Sequence, residues 1–375
     1  SSSITTVTGK PAPSTWRVVA SAVPDRLLSL LTRARLDDHP DWPHLHGGAL
    51  SDQDGRAVLV LGRSGAGKST LVANLAAAGL GLLNDEQVSL HRRPGLVGGF
   101  TRPVAVKPGG ARHLPATVGA GVPDTGHTEL VPAAALGTRH RVFAEPALVV
   151  LPERGDEHGE PSWERLDPSS AVEARAANNL DLTRVPVEGL SAYAWLATTV
   201  PVVTVRHREA ADAVALVSGL LADPPPLPTL TWAVGQVPGE PDVVPLLHAG
   251  GGRSAGATTA GGTLGEVGRS SNELVGGSGG CTPELHLPVV EGAGPPALLS
   301  AGPVAGVVEL HLGGELVLFE PQTRHLANLN PAAAAVWSTL PWCDVAVEDP
   351  ALAPVFDLVR ELAAQGLVHL DGPRS

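Results

Sequence analysis

The chain has 375 residues, 43% of them hydrophobic, which is enough for cores in two or three domains. Its formal net charge of −12 argues against a general nucleic-acid binder, which needs Lys and Arg in excess. Cys281 and Cys343 are too few for a disulfide scaffold or a zinc cluster, so both are expected as free thiols.

Residues 1–13 read as a loose tail. Ser1 to Thr15 is polar and has no signal-peptide core, and no run reaches about 18 apolar residues. A soluble, cytoplasmic chain with no membrane partner is expected. Leu27, Leu28, Leu30 and Leu31 suggest a helix within Trp16 to Leu36. Ala57 to Leu61 is short, apolar and rich in valine, the mark of a buried strand. Ser69 to Ala78 reads as a helix that Gly79 and Gly81 stop. Leu82-Leu83 begins a short strand ending at Asn84-Asp85-Glu86. Strands are expected at Ala147–Leu151 and Val202–Val205, and helices at Ala171–Leu180 and Ala210–Leu221. From Asp223 the texture changes. Residues 223–303 are rich in Gly, Pro, Ser and Thr, with glycine runs at 250–252 and 276–277, and most of this stretch reads as a flexible linker. Periodic patterning returns at Val307 and continues to Leu370. The expected organisation is a domain over 14–222, the linker over 223–303, and a small domain over 304–371.

Gly62-Arg63-Ser64-Gly65-Ala66-Gly67-Lys68-Ser69 fits G-x-x-x-x-G-K-[ST] in full, between an expected strand and an expected helix. Glycines let the backbone turn its N–H groups onto phosphate oxygens. Lys68 is placed for the β- and γ-phosphates, Ser69 for magnesium, and the helix start, with Thr70, for the anion. The expected ligands are ATP and Mg2+. Lysine occurs only at 10, 68 and 107, so the Asn-Lys-x-Asp motif of small GTPases is absent, and so is the Leu-Ser-Gly-Gly-Gln signature of transporter ATPases. Asp85-Glu86 follows Ser69 by one helix and one short strand, sooner than the second acidic motif of most P-loop ATPases.

These residues resemble HPr kinase/phosphorylase and its relatives, which share a P-loop fold of the phosphoenolpyruvate-carboxykinase type. His46-Gly47 stands just before the P-loop strand, as the family's His-Gly does. Gly62 to Ser69 resembles its Gly-x-Ser-Gly-x-Gly-Lys-Ser, and Leu82 to Glu86 resembles its Leu-Val-x-Asp-Asp. The resemblance implies an α/β kinase domain. It implies Asp85 as the base that takes the acceptor's proton, Glu86 as a metal-side acid with Ser69, and His46 beside the γ-phosphate. It also implies a homo-oligomer as a possible state. Two departures stand out. Glu86 replaces the family's Asp, and Glu153-Arg154-Gly155 is only a loose echo of the Glu-x-Arg-Gly-type signature tied to the reverse, phosphorolytic reaction. They point to a related kinase with an acceptor other than HPr. His46 is equally readable as a loop histidine beside His39 and His44. Lys107 reads either as a phosphate or acceptor contact or as a solvated strand end. Arg139, His140 and Arg141 read either as a basic rim or as a solvated cluster.

Residues 307–370 resemble a PqqD-type domain, a small winged-helix-like α+β module. The resemblance lies in Leu316 to Phe319, His325 to Asn330, Ala332 to Trp337, Leu358 to Leu362 and Gly366-Leu367-Val368. From the residues themselves, Asn330 is placed to cap a helix that Pro331 starts. Val336, Trp337 and Leu340 fall on one face. Such modules bind a leader peptide as an added strand. The whole chain therefore reads as an ATP-dependent kinase of a protein or peptide hydroxyl. Its rivals are a small-molecule kinase and a non-catalytic, nucleotide-gated peptide adaptor.

Overall fold

A computed structural model describes residues 23–40, 42–91, 95–100, 102–122, 126–180, 182–237, 247–249, 298–346 and 352–371. The chain divides into two units, Ser1–Pro228 and Thr229–Ser375. The tail at 1–13, Cys281, the Cys343 side chain and the glycine runs at 250–252 and 276–277 lie outside the described residues. No described helix is long and apolar enough to cross a membrane.

In the first unit the elements run α1 (Val23–Asp38), β1 (His44–Leu45), β2 (Gly47–Ser51), β3 (Arg56–Leu61), α2 (Lys68–Ala77), β4 (Gly81–Asn84), β5 (Val88–Leu90), β6 (Val97–Gly98), β7 (Val104–Val106), α3 (Ala116–Gly119), β8 (Glu129–Val131), β9 (Phe143–Arg154), β10 (Ser162–Arg165), α4 (Pro168–Ala176), α5 (Pro186–Thr199), β11 (Val202–His207) and α6 (Ala210–Ala222). The large sheet has the order β1-β5-β6-β9-β3-β2-β4, with β11 joined to β9 and β10 to β11. β9 is its spine. The start of β9 pairs antiparallel with β6, its middle parallel with β3, and its end parallel with β11. This is a mixed α/β architecture.

β3 shows why the sheet is central. Val58 and Val60 pack into a core with α2 residues Leu71, Val72 and Leu75 and α6 residues Ala213 and Val217. The alternate residues Ala57, Leu59 and Leu61 are also fully buried. A strand covered on both faces must be apolar throughout, which is why residues 57–61 form an uninterrupted hydrophobic run. The helix expected over Ala171–Leu180 stops at Ala176 instead. There Asn178 Nδ2 donates to the Ala174 carbonyl (2.6 Å) and Asn179 Nδ2 to the Ala176 carbonyl, so side chains compete with the helical ladder. Leu180 then donates its N–H to the His44 carbonyl at 2.9 Å.

The second unit contains β12 (Trp232–Gln236), β13 (Leu247–Ala249), β14 (Leu298–Pro303), β15 (Val308–Leu312), β16 (Glu315–Glu320), β17 (His325–Leu329), α7 (Pro331–Trp337), β18 (Trp342–Ala346), α8 (Ala353–Ala364) and β19 (Val368–Asp371). One sheet runs β13-β12-β15-β16-β17 and a smaller one β18-β14-β19. As expected, the Asn330 side chain caps α7 by accepting from the Ala333 N–H at 2.9 Å, with Pro331 in the first turn. Trp337 is buried with Leu316, Leu318, Val359, Leu362 and Leu367. Its indole N–H donates to Glu309 Oε1 at 2.8 Å.

The linker expectation needs correction at both ends. β12 and β14 lie inside residues 223–303, yet β12 pairs with β15, and β14 with β18 and β19. Tertiary pairing outweighs composition here. Val234 and Leu299 are buried, and Trp232 to Gln236 lies in a full antiparallel register on Val308 to Leu312.

Candidate active site

The loop after β3 takes its shape from three glycines. Gly62, Gly65 and Gly67 have φ of 142°, 87° and 88°, a region other residues enter only with strain. A Cβ on Gly65 or Gly67 would meet nothing within 4 Å, so the requirement there is torsional rather than spatial. Gly67 caps α2 without a side-chain hydrogen bond, which leaves first-turn N–H groups open to an anion. Lys68 is 9% exposed and folds back over the loop, donating to the carbonyls of Gly62 (2.7 Å) and Arg63 (3.1 Å). Burial lowers the basicity of its amine, while Glu86 and Asp85 act the other way.

β4 delivers the acidic pair to the same place. Asp85 is 1% exposed. Its Oδ1 accepts from Ser69 Oγ at 3.2 Å, and its Oδ2 from the Ala105 N–H on β7 at 3.0 Å. Burial pushes its carboxyl up to about 6, against the pull of the Ala105 hydrogen bond. A carboxylate desolvated this way is poised to exchange protons near neutral pH. Glu86 is more exposed, and its φ of 90° is rare for a residue with a side chain. His46 Nδ1 lies 3.5 Å from Glu86 Oε1, and the Gly47 N–H donates to the Glu86 carbonyl at 3.3 Å. Burial lowers the His46 pKa, with Glu86 opposing.

Two supports were not legible in the sequence. Gly48 on β2 has no room for a side chain, since a Cβ would stand 2.4 Å from Val72 Cγ2 and 3.5 Å from Asp85 Oδ1. Asn178 ties the loop to the histidine: its Oδ1 accepts from the Gly62 N–H (3.1 Å) and its carbonyl from the His46 N–H (2.6 Å). Only Gly48's place beside His46-Gly47 could have drawn attention. Nothing local marks Asn178.

A cleft of about 370 Å³ is lined by His46, Ser64, Gly65, Gly67 to Thr70, Asp85, Glu86 and residues of the segment from Ala105 to His113, with Arg154. The structure thus brings together His46, most of the glycine loop, Asp85 and Glu86. Arg63 is exposed and, like Gly62 and Ala66, does not line the cleft. Lys107 does line it, and its Nζ donates to Ser64 Oγ at 3.3 Å. Arg139, His140 and Arg141 lie elsewhere: the Arg139 carbonyl accepts from the Leu82 N–H, and the Arg141 side chain lies against Gly81. The basic residues of the cleft are instead Lys107, Arg112 and Arg154. Nor do His39 and His44 join His46. His44 is buried, with Nδ1 2.9 Å from Ser89 Oγ and Nε2 3.1 Å from the His39 carbonyl.

No family model matches the chain, and no curated protein does. Among solved structures, the Hpr(Ser) kinase/phosphatase from Coxiella burnetii aligns with 48% of this chain and 94% of its own, at 13% identity and a TM-score of 0.26. A likeness of that size carries no functional argument, and function rests on the geometry of the cleft.

Proposed function

We propose that the first unit is an ATP-dependent kinase acting on a hydroxyl acceptor. One observation carries the reading: a complete phosphate loop is hydrogen-bonded, through Ser69, to a buried carboxylate that holds its proton more tightly than an ordinary aspartate. Loop N–H groups and Lys68 would cradle the phosphates. Lys68 would exchange its bonds to the Gly62 and Arg63 carbonyls for phosphate oxygens. Asp85 would take the proton of the acceptor hydroxyl as its oxygen bonds to the γ-phosphorus. The bond from that phosphorus to the β–γ bridging oxygen breaks, ADP leaves with the electron pair, and Asp85 later returns its proton to water.

Ser69 Oγ and the Glu86 carboxylate are the oxygen donors that would hold Mg2+. Among the described residues no group of three or more His, Cys, Asp or Glu is placed to hold a metal. That fits an ion which takes one or two protein oxygens and completes its shell with phosphates and water. When bound, it neutralises charge on the phosphate oxygens.

The second unit, on its sequence resemblance, would hold a peptide substrate as an added strand, raising the local concentration of acceptor. The test is transfer from γ-labelled ATP with Mg2+ to serine- and threonine-containing peptides, with Asp85→Asn as control. Label on a peptide with wild type alone supports a peptide kinase. Nucleotide binding with no transfer to any peptide or free hydroxy acid would replace it with a non-catalytic adaptor.

A further inference from the structure

Two arginines line the cleft together with the phosphate loop, and neither has a carboxylate at salt-bridge distance among the described residues, Glu209 acting on Arg154 only at longer range. Arg112 donates its Nε–H to His113 Nε2 at 3.0 Å, so His113 carries its proton on Nδ1, 2.8 Å from Glu209 Oε2. The relay fixes the base of the guanidinium and leaves its far nitrogens unpaired. Arg154 is held in the same manner, its Nε donating to the Arg208 carbonyl at 3.3 Å. Its neighbours make a contrast. Glu153, one residue earlier on β9, pairs with Arg206 at 3.1 Å, and Glu164 takes the same guanidinium at 2.9 Å. Successive residues of a strand point to opposite faces, so the spent charges lie on one side of β9 and the unspent one on the other. In a chain of net charge −12, two guanidiniums held at their Nε and lining one cleft concentrate positive charge there.

We propose that Arg112 and Arg154 form an anion subsite for the acceptor, so that the hydroxyl receiving phosphate is flanked by carboxylate groups. The inference rests on the kinase reading and narrows its substrate. Guanidiniums take carboxylates in a planar, two-pronged fashion, which orients an acceptor as well as attracting it. Carboxylates beside a hydroxyl occur in an acidic peptide segment and in a free hydroxy acid.

The test uses the full chain, Mg2+ and ATP with three acceptors: a peptide whose single serine is flanked by aspartates, the same peptide with lysines in their place, and free serine. Wild type should show a KM for the acidic peptide about tenfold below that for the basic one, the size expected of two partly exposed charge contacts. The double variant Arg112→Glu/Arg154→Glu should reverse that order. A misfolded protein cannot produce a reversal. Phosphorylation of free serine, without the peptide, would keep the subsite and assign it to a small hydroxy acid. Equal KM values for the two peptides in wild type would overturn the proposal. So would a variant whose only change is a higher KM for ATP, since the arginines would then serve the nucleotide. If no acceptor is phosphorylated, binding of fluorescently labelled peptides with MgADP separates the two readings. An acidic preference there keeps the subsite and sinks the kinase, and no preference sinks the subsite.

Discussion

Ser69 Oγ lies 3.2 Å from Asp85 Oδ1, joining the first turn of α2 to the residue that follows β4. The contact ties together two elements that would otherwise be independent, and it places an acid beside the phosphate loop. Asp85→Asn keeps the shape and removes the basic oxygen. Transfer should fall by about 10²–10⁴-fold, the range for loss of a general base, with nucleotide affinity much less affected. Single-turnover transfer alongside equilibrium ATP binding checks this.

The same substitution should stabilise the fold. The Asp85 carboxyl has a folded-state pKa of about 6 against an ordinary 3.8. Below pH about 4 it is protonated folded or unfolded and costs nothing. As pH rises the unfolded chain releases its proton first, so stability is lost between about 4 and 6, and the loss is complete above 6. A shift of about two units corresponds to about 3 kcal/mol. Asp85→Asn should therefore raise Tm at pH 7.5, and the gain should vanish near pH 4. An equal gain at both pH values would assign it to something other than ionisation.

The rate should follow the same group. With Asp85 as base, kcat/KM falls as pH drops through about 6, approaching tenfold per unit below it. A pH–rate profile with no acid limb between about 5 and 7 would be the contrary result.

Glu86→Gly separates backbone from side chain. Its φ of 90° suits glycine, so removing the side chain should relieve strain of about 1 kcal/mol. It also removes the carboxylate beside His46, the group proposed above to hold Mg2+. The expected variant is more stable in urea and requires more Mg2+ for half-maximal transfer.

Gly48→Ala tests the opposite case. The added methyl would stand 2.4 Å from Val72, and overpacking of this kind costs about 1–3 kcal/mol. Asn178→Ala should leave the Gly62 N–H without its acceptor and weaken ATP binding by about tenfold, one hydrogen bond's worth. Urea melts and nucleotide titration measure the two.

The phosphate loop was legible because its chemistry is local: eight consecutive residues, with a strand that must be apolar on both faces before them and a helix after. Asp85 and Glu86 were legible because only α2 and β4 intervene. What was hidden is long-range. Asn178 meets Gly62 across a separation of 116 residues, and Arg112, Arg154 and Glu209 come together only through the sheet. α5 was not read as a helix at all. Its buried residues Gly189, Leu190, Tyr193, Ala194, Leu196 and Ala197 fall on one face, but the opposite face carries Val187, Ala192 and Trp195 among serine and threonines, so little polar contrast marks it in the sequence. β12 was hidden for a different reason: its register on β15, from Trp232–Leu312 to Gln236–Val308, joins residues roughly 70–80 positions apart, which local composition cannot weigh.

The parallel pairing of β3 with β9 sets Val58 against Leu148 and Val60 against Val150. The strand that launches the phosphate loop therefore acquires one flank only after the ribosome has made the whole intervening segment, and Asn178 emerges later still. Contacts so distant along the chain form slowly, because loop closure must precede the bonds that reward it. A nascent chain halted before residue 143 holds every residue of the nucleotide loop and both carboxylates but lacks the strand that braces them. Competence to bind nucleotide should thus arise as a late event of synthesis, and newly made protein should retain ATP only once β9 and α4 have left the exit tunnel.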